Sequence, residues 1–169
     1  LLPYSDVRDV GKAAKDWPQL NFIIYHSGWR WTGPNAPKEA WAHFEKTGRI
    51  EWVTDLSEIP EKYGVKNVYG DLGQLFAWTT TASPRLGAAV MGTLGRGLGY
   101  DHVVWGTDAV WTGAPQWQIE ALRRLDIPED MQKQYNFKPM GGADSPIKRQ
   151  IFGETNARLY KYSPKQQAE

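Results

Sequence analysis

Three short apolar runs, each followed by a segment long enough for a helix, restrict the fold more than any other feature. The runs are "LNFIIYHSG" (20–28), "KNVYGDLG" (66–73) and "YDHVVWGTD" (100–108). They are rich in β-branched and aromatic residues and end in glycine or a polar residue, as strands do. Because strands that alternate with helices build βα units, the sequence predicts an α/β fold with a parallel sheet.

Helical spacing of apolar residues predicts the segments between and around these strands. The predicted helical segments are 5–19, 37–49, 83–99, 115–127, 128–137 and 146–162. Ser5 or Asp6 is the expected N-cap of the first helix. Gly95, Gly97 and Gly99 are expected to end the third, since glycine commonly follows the last helical turn.

Composition excludes several classes of partner. Twenty basic residues balance nineteen acidic ones, so the chain lacks the cationic excess of a nucleic-acid-binding protein. Without cysteine, it has neither disulfides nor thiolate metal ligands, which fits a reducing compartment, and we expect the cytoplasm. No apolar run approaches the roughly 20 residues that span a bilayer, so no membrane association is expected. The absence of an initial Met leads us to expect that the chain begins inside something larger.

Two polar residues stand at predicted strand ends, where parallel sheets carry functional groups. Alternation along the strands would place His26 on one face with Ile24, and Asp108 on one face with Gly106. If the first and third strands lie two places apart, their backbones are about 10 Å from each other, close enough for both side chains to reach one substrate or metal. An imidazole and a carboxylate can exchange protons near neutral pH or bind a divalent metal. Structural roles, a hydrogen-bonded histidine and a capping aspartate, remain the alternatives.

Four segments together resemble a known family. These are "DWPQLNFIIYHSGW", "NVYGDLG", "VVWGTDAVW" and "IFGETNARLYKY", in this order. They are similar to the carboxyl-terminal half of the metal-dependent amidohydrolase barrel, in the branch of aminocarboxymuconate-semialdehyde-decarboxylase-like enzymes. The resemblance implies that residues 1–162 are about strands six to eight, with their helices, of a TIM (β/α)8 barrel. Residues 163–169 are expected to be a frayed tail.

The resemblance also implies roles for the two strand-end residues. His26 would match the sixth-strand histidine, which acts on protons or polarises a carboxylate in the decarboxylase-like branch. Asp108 would match the eighth-strand aspartate, which binds the metal or takes the proton of its water. The implied cofactor is a divalent metal ion, with zinc as the expected choice.

The family's first-strand His-x-His pair and fifth-strand histidine have no counterpart in this chain. The remaining metal ligands would therefore lie outside it. The expected partner is an N-terminal half-barrel chain or a missing segment, and the protein is expected to be oligomeric. Half a barrel alone would expose sheet edges, which is unfavourable.

The loop after the first strand supplies candidate substrate-binding residues. Arg30 could pair with a substrate carboxylate through its bidentate donors. Trp29, Trp31 and Trp111 could line the cleft and stack on an aromatic substrate. Core packing of the tryptophans and a plain surface position for Arg30 are the alternatives. Asp71 is considered as a second polar wall, without an assigned role.

The sequence thus favours a metal-dependent hydrolase or non-oxidative decarboxylase of small carboxylated, aromatic or cyclic compounds. This chain would supply part of the active site. The alternative is a non-catalytic half-barrel subunit or ligand-binding module without bound metal. His43 and His102 are expected to have packing or surface roles only.

Overall fold

A three-stranded parallel sheet lies at the centre of the computed structural model, which describes residues 5–163 except the side chain of Val110. The strands are β1 (Phe22–Ile24), β2 (Val68–Asp71) and β3 (Val103–Val104). Their spatial order is β1-β2-β3, and both pairs are parallel. The prediction that the first and third strands lie two places apart is confirmed.

Helices occupy most of the rest of the described chain. Those before β3 are α1 (Val10–Asp16), α2 (Ala36–Thr47), α3 (Val53–Ser57), α4 (Ile59–Tyr63), α5 (Leu75–Ala82) and α6 (Pro84–Gly97). Those after β3 are α7 (Ala109–Thr112), α8 (Pro115–Arg124), α9 (Glu129–Tyr135), α10 (Pro146–Arg149) and α11 (Thr155–Leu159). A wider helical turn, Gln150–Glu154, joins α10 to α11, and single tight turns follow β1 and precede β3.

The core forms where apolar helix faces meet the sheet and one another. In α2, Ala40 and Phe44 are fully buried and Trp41 packs against the core, as the spacing predicts. The Phe44 ring lies 4.7 Å from that of Tyr135, which ties α2 to α9. Full burial of an aromatic side chain of this size contributes about 1.5–3 kcal/mol, so this contact anchors both helices.

One charged side chain is buried in this core. Lys148, in α10, donates from Nζ to the carbonyl oxygen of Arg123 at 2.7 Å and so ties α10 to α8. Burial lowers the pKa of Lys148, while the nearby Asp126 carboxylate acts in the opposite direction.

All three strands are shorter than the runs that predict them, and β2 loses two residues at each end. β1 ends at Ile24, and the chain then turns tightly through residues 25–28. β3 ends at Val104, four residues before Asp108. His26 and Asp108 are therefore not strand residues, and the predicted alternation does not set their faces. Both have left-handed backbone conformations, which are not those of an extended strand.

The glycines of α6 also differ from their prediction. Gly95 and Gly97 lie inside the helix, and only Gly99, at φ 89°, forms the turn that follows it. A side chain at Gly97 would collide with the backbone carbonyl of Ser57, and one at Gly95 with the ring of Tyr100. These two glycines allow close packing of α6 rather than ending it.

The first helix begins later than predicted, at Val10, with Asp9 as its N-cap residue. Neither Ser5 nor Asp6 caps it, because Asp6 instead accepts the backbone N–H of Arg8 at 3.0 Å. Within residues 5–163, no helix is long and apolar enough to cross a membrane. The predicted frayed tail, 163–169, lies outside the described residues except for Ser163.

Candidate active site

His26 lies in a strained backbone segment directly after β1. Its φ and ψ are 50° and 27°, those of Ser27 are 48° and 34°, and Gly28 has φ 73°. Each non-glycine residue in this region costs of order 1–3 kcal/mol and persists only where surrounding structure holds it. Such strain often occurs at functional sites, so the contacts that hold this turn identify the site's other members.

Asp71, the last residue of β2, holds the turn in place. Its Oδ2 accepts the backbone N–H of His26 at 3.2 Å. Its carbonyl oxygen accepts the Ser27 hydroxyl at 2.8 Å, and Ser27 is fully buried. Two successive left-handed residues are thus fixed by one residue of the neighbouring strand.

Three glycines make room for this arrangement. A Cβ at Gly73 would lie 2.8 Å from Asp71 Oδ2 and 2.9 Å from His26 Nδ1. A Cβ at Gly106 would collide with Asp71 Oδ1, and one at Gly70 would lie 2.6 Å from Ser27 Oγ. Since real Cβ atoms do not approach other atoms so closely, any larger residue at these positions would displace the Asp71 carboxylate or the turn.

Asp108 completes the group from the third strand's loop. It precedes α7 with φ 50° and ψ 38°, and its Oδ2 lies 3.9 Å from His26 Nε2. The loop is fixed by the fully buried Gln118, whose amide donates to the Thr107 carbonyl at 3.1 Å and to Thr112 Oγ1 at 2.7 Å. α8 therefore helps to hold the loop that carries Asp108.

The His26 ring lies between two carboxylates. His26 Nδ1 is 3.9 Å from Asp71 Oδ2, the same separation as between Nε2 and Asp108 Oδ2. Both distances exceed that of a hydrogen bond, and catalytic contacts are often this long without substrate. The side-chain exposures of His26, Asp108 and Asp71 are 36%, 31% and 14%, so solvent reaches the histidine while Asp71 is mostly enclosed.

The four predicted substrate-binding residues do not form one surface. Arg30 pairs with Glu51, and its guanidinium lies 5.0 Å from the centroid of the Trp31 ring. Arg30 and Trp31 line a cavity of about 500 Å³. Trp29 packs against the core. Trp111, 75% exposed, lines a separate groove of about 630 Å³ with Trp78 and Trp117.

The other two histidines have the packing roles expected for them. His43 lies against Trp31, with ring centroids 5.9 Å apart, and its Nε2 is 3.7 Å from Glu51. His102 stacks on Tyr69 at 4.6 Å and its Nε2 lies 2.9 Å from the Lys66 carbonyl oxygen. Neither belongs to the group around His26.

A family model described as amidohydrolase matches residues 2–162, almost the whole chain. The chain belongs to the amidohydrolase family. The family that its four sequence segments predict is confirmed.

Two solved structures are similar to this amidohydrolase chain. One is an amidohydrolase from Burkholderia multivorans with bound HEPES, with a TM-score of 0.57 and 14% identity over 93% of this chain. The other is the 5-carboxyvanillate decarboxylase of Sphingomonas paucimobilis, with a TM-score of 0.49 and 17% identity over 93% of this chain. This chain spans about half of the first structure and 38% of the second. No curated protein matches the chain.

The donor groups of this amidohydrolase chain do not make a metal centre by themselves. No cluster of three or more histidine, aspartate or glutamate side chains within residues 5–163 is arranged to hold a metal ion. His26, Asp71 and Asp108 converge, but the two carboxylates lie on opposite sides of the ring.

Asp71 is the functional candidate that the sequence left without a role. It lies at the end of its strand, where the sequence also predicted His26 and Asp108 to lie. No periodicity distinguishes it from a residue that caps a loop. The flanking Gly70 and Gly73 were the available signal, because glycines on both sides of a strand-end carboxylate allow another backbone to approach closely.

Proposed function

We propose that this chain supplies part of the active site of a metal-dependent hydrolase or non-oxidative decarboxylase acting on small carboxylated, aromatic or cyclic compounds. The convergence of His26, Asp71 and Asp108 beyond the carboxyl ends of the strands carries the proposal. Family membership supports an enzymatic role, and the position agrees with where parallel α/β enzymes act.

In this proposal His26 and Asp108 divide the proton chemistry. Asp108 accepts a proton from the attacking water or from the reacting group of the substrate. The His26 ring, when protonated, donates from Nε2 to negative charge that develops on the substrate. Placing the donor and the acceptor 3.9 Å apart lets one small substrate or water contact both.

The architecture proposed for the whole enzyme is a (β/α)8 barrel of which residues 1–162 form about strands six to eight. The sheet order β1-β2-β3 and the coverage of half of a solved amidohydrolase support it. An N-terminal half-barrel, as a separate chain or a further segment, would supply the other strands. Asp108 remains the proposed metal ligand of this chain, with zinc as the expected ion and the other ligands outside it.

For substrate binding we retain Trp29, Arg30, Trp31 and Trp111 as candidates. Trp111 is the best supported of them, because its ring is exposed and its helix begins directly after Asp108. An aromatic substrate could stack there with its reactive group directed at His26. Arg30 would have to exchange Glu51 for a substrate carboxylate.

A non-catalytic half-barrel subunit or ligand-binding module is the second candidate. The exposed Trp111, which lines a groove of about 630 Å³ with Trp78 and Trp117, is the observation that favours a ligand-binding role.

Substitution of His26→Asn and Asp108→Asn, singly, in the assembled enzyme separates the two candidates. Loss of a general acid or base lowers kcat by about 10²–10⁴-fold, and we expect this for each variant in assays of carboxylated aromatic compounds. His43→Asn is the matched control and should keep wild-type kcat. Unchanged turnover in both site variants would exclude the catalytic proposal.

A further inference from the structure

The Nδ1 atom of His26 is the polar atom of the site that most needs an explanation. It is buried and has no hydrogen-bond partner among the described residues. A buried polar group left unpaired costs about 1–3 kcal/mol, so such an atom normally faces a group that compensates for it. The nearest charged atom is Asp71 Oδ2, at 3.9 Å.

We infer that Asp71 is a positioning residue that orients His26 and determines which of its ring nitrogens carries the proton. The catalytic consequence of this role rests on the proposed function. The orientation of His26 and the position of its proton do not, since both can be observed without substrate.

The backbone hydrogen bond to Asp71 fixes the point from which the His26 side chain extends. Asp71 Oδ2 accepts the His26 N–H and thereby stabilises a left-handed conformation that a histidine rarely adopts. The same residue fixes the next position through the Ser27 hydroxyl. Both contacts come from the end of β2, so the sheet itself sets the position of the imidazole.

The side-chain contact determines the tautomer. A neutral ring with its proton on Nε2 would direct the Nδ1 lone pair at a carboxylate inside an enclosed site, which is unfavourable. With the proton on Nδ1, the N–H points toward Asp71, and Nε2 is the nitrogen that takes up and donates the proton of the proposed mechanism. The other groups that face the ring are Asp108, on the Nε2 side, and Tyr25, whose ring centroid is 6.1 Å away.

The difference between the two carboxylates supports distinct roles. Asp71 is 14% exposed, holds a backbone N–H, and is confined by Gly73 and Gly106. Asp108 is 31% exposed and lies on a loop after β3. A confined carboxylate suits orientation, whereas the more accessible one can meet a substrate.

Nitrogen-15 NMR of the histidine rings, in the protein labelled with ring-¹⁵N histidine, tests this inference. The chain has three histidines, so His43→Gln and His102→Gln assign the His26 signals. At a pH where the ring is neutral, we expect His26 to carry its proton on Nδ1. A proton found on Nε2 in the wild-type protein would overturn the inference without any Asp71 variant.

Asp71→Asn then tests whether the charge of Asp71 places the proton on His26 Nδ1. The amide oxygen can still accept the His26 N–H, while the charge is lost, so we expect the folded variant to populate both tautomers. Asp101→Asn is the matched control, because Asp101 Oδ1 lies 3.1 Å from His102 Nδ1, outside the site. It should leave the His26 signals unchanged. Unaltered His26 signals in folded Asp71→Asn would refute the assignment.

Catalysis supplies a separate readout. If the proposed function holds, Asp71→Asn should lower kcat about tenfold or more with little change in KM, because it disturbs the proton donor His26 and not the substrate contacts. Asp71→Glu, which restores the charge, should recover part of the Nδ1–H population. The two claims can fail separately. If the Nδ1 proton depends on Asp71 but the His26→Asn variant turns over normally, the proposed function is refuted and the positioning role stands.

Discussion

At the scale of single residues, the position of His26 is set by neighbouring groups that take no part in the proposed proton transfers. The turn at His26 depends on a hydrogen bond from its N–H to Asp71 and on the absence of side chains at Gly73 and Gly106. The sequence predicted both His26 and Asp108 as candidates, because both follow apolar runs. It could not predict the left-handed conformation of His26, which is uncommon in a non-glycine residue and which contacts from a strand distant in sequence hold in place.

Gly73→Ala tests this dependence. The added methyl group would lie 2.8 Å from Asp71 Oδ2 and 2.9 Å from His26 Nδ1, so the carboxylate or the ring must move. We expect a loss of about 1–3 kcal/mol in the free energy of unfolding, the usual cost of overpacking, and a lower kcat. Chemical denaturation and steady-state kinetics measure the two effects.

Gly142→Ala provides the control, since nothing lies within 4 Å of the methyl group there and its φ is not positive. It should change neither stability nor turnover appreciably. If Gly73→Ala behaved like this control, the close packing around His26 would not determine the site.

At the scale of elements, the alternation of strands and helices was predictable, whereas the ends of the elements were not. The parallel order β1-β2-β3 follows from βα connections, and the buried face of α2 follows from helical spacing. β1 ended earlier than its apolar run because contacts with Asp71 hold the left-handed residues that follow it. Glycines in α6 suggested a helix end because sequence alone does not distinguish a terminating glycine from one that packs against a neighbouring backbone.

Gly97→Ala examines the packing of α6 on α3. The methyl group would meet the Ser57 carbonyl, a backbone atom that cannot rotate away, so we expect destabilisation of about 1–3 kcal/mol. Gly153→Ala, at a helical glycine with open space around it, should instead stabilise by up to about 1 kcal/mol through the higher helix propensity of alanine. Thermal unfolding of both variants gives the comparison. Similar stabilisation in both would show that α6 does not depend on this contact.

At the scale of the whole molecule, the proposal is that the chain provides one side of a site. Three parallel strands carry His26, Asp71 and Asp108 to one end of the sheet, while the amidohydrolase of known structure is about twice as long. The family could be predicted from four segments that lie in the right order. The spatial relation of Trp111 to Arg30 could not, because the turn after β1 and the helix after Asp108 direct them to different cavities.

Native mass spectrometry of the protein purified from its source tests most directly the claim that this chain is part of a larger, metal-dependent active site. We predict a species heavier than 19.2 kDa, carrying further polypeptide and a divalent metal ion. A lone, metal-free species of 19.2 kDa, folded and stable, would contradict the claim and favour the non-catalytic module.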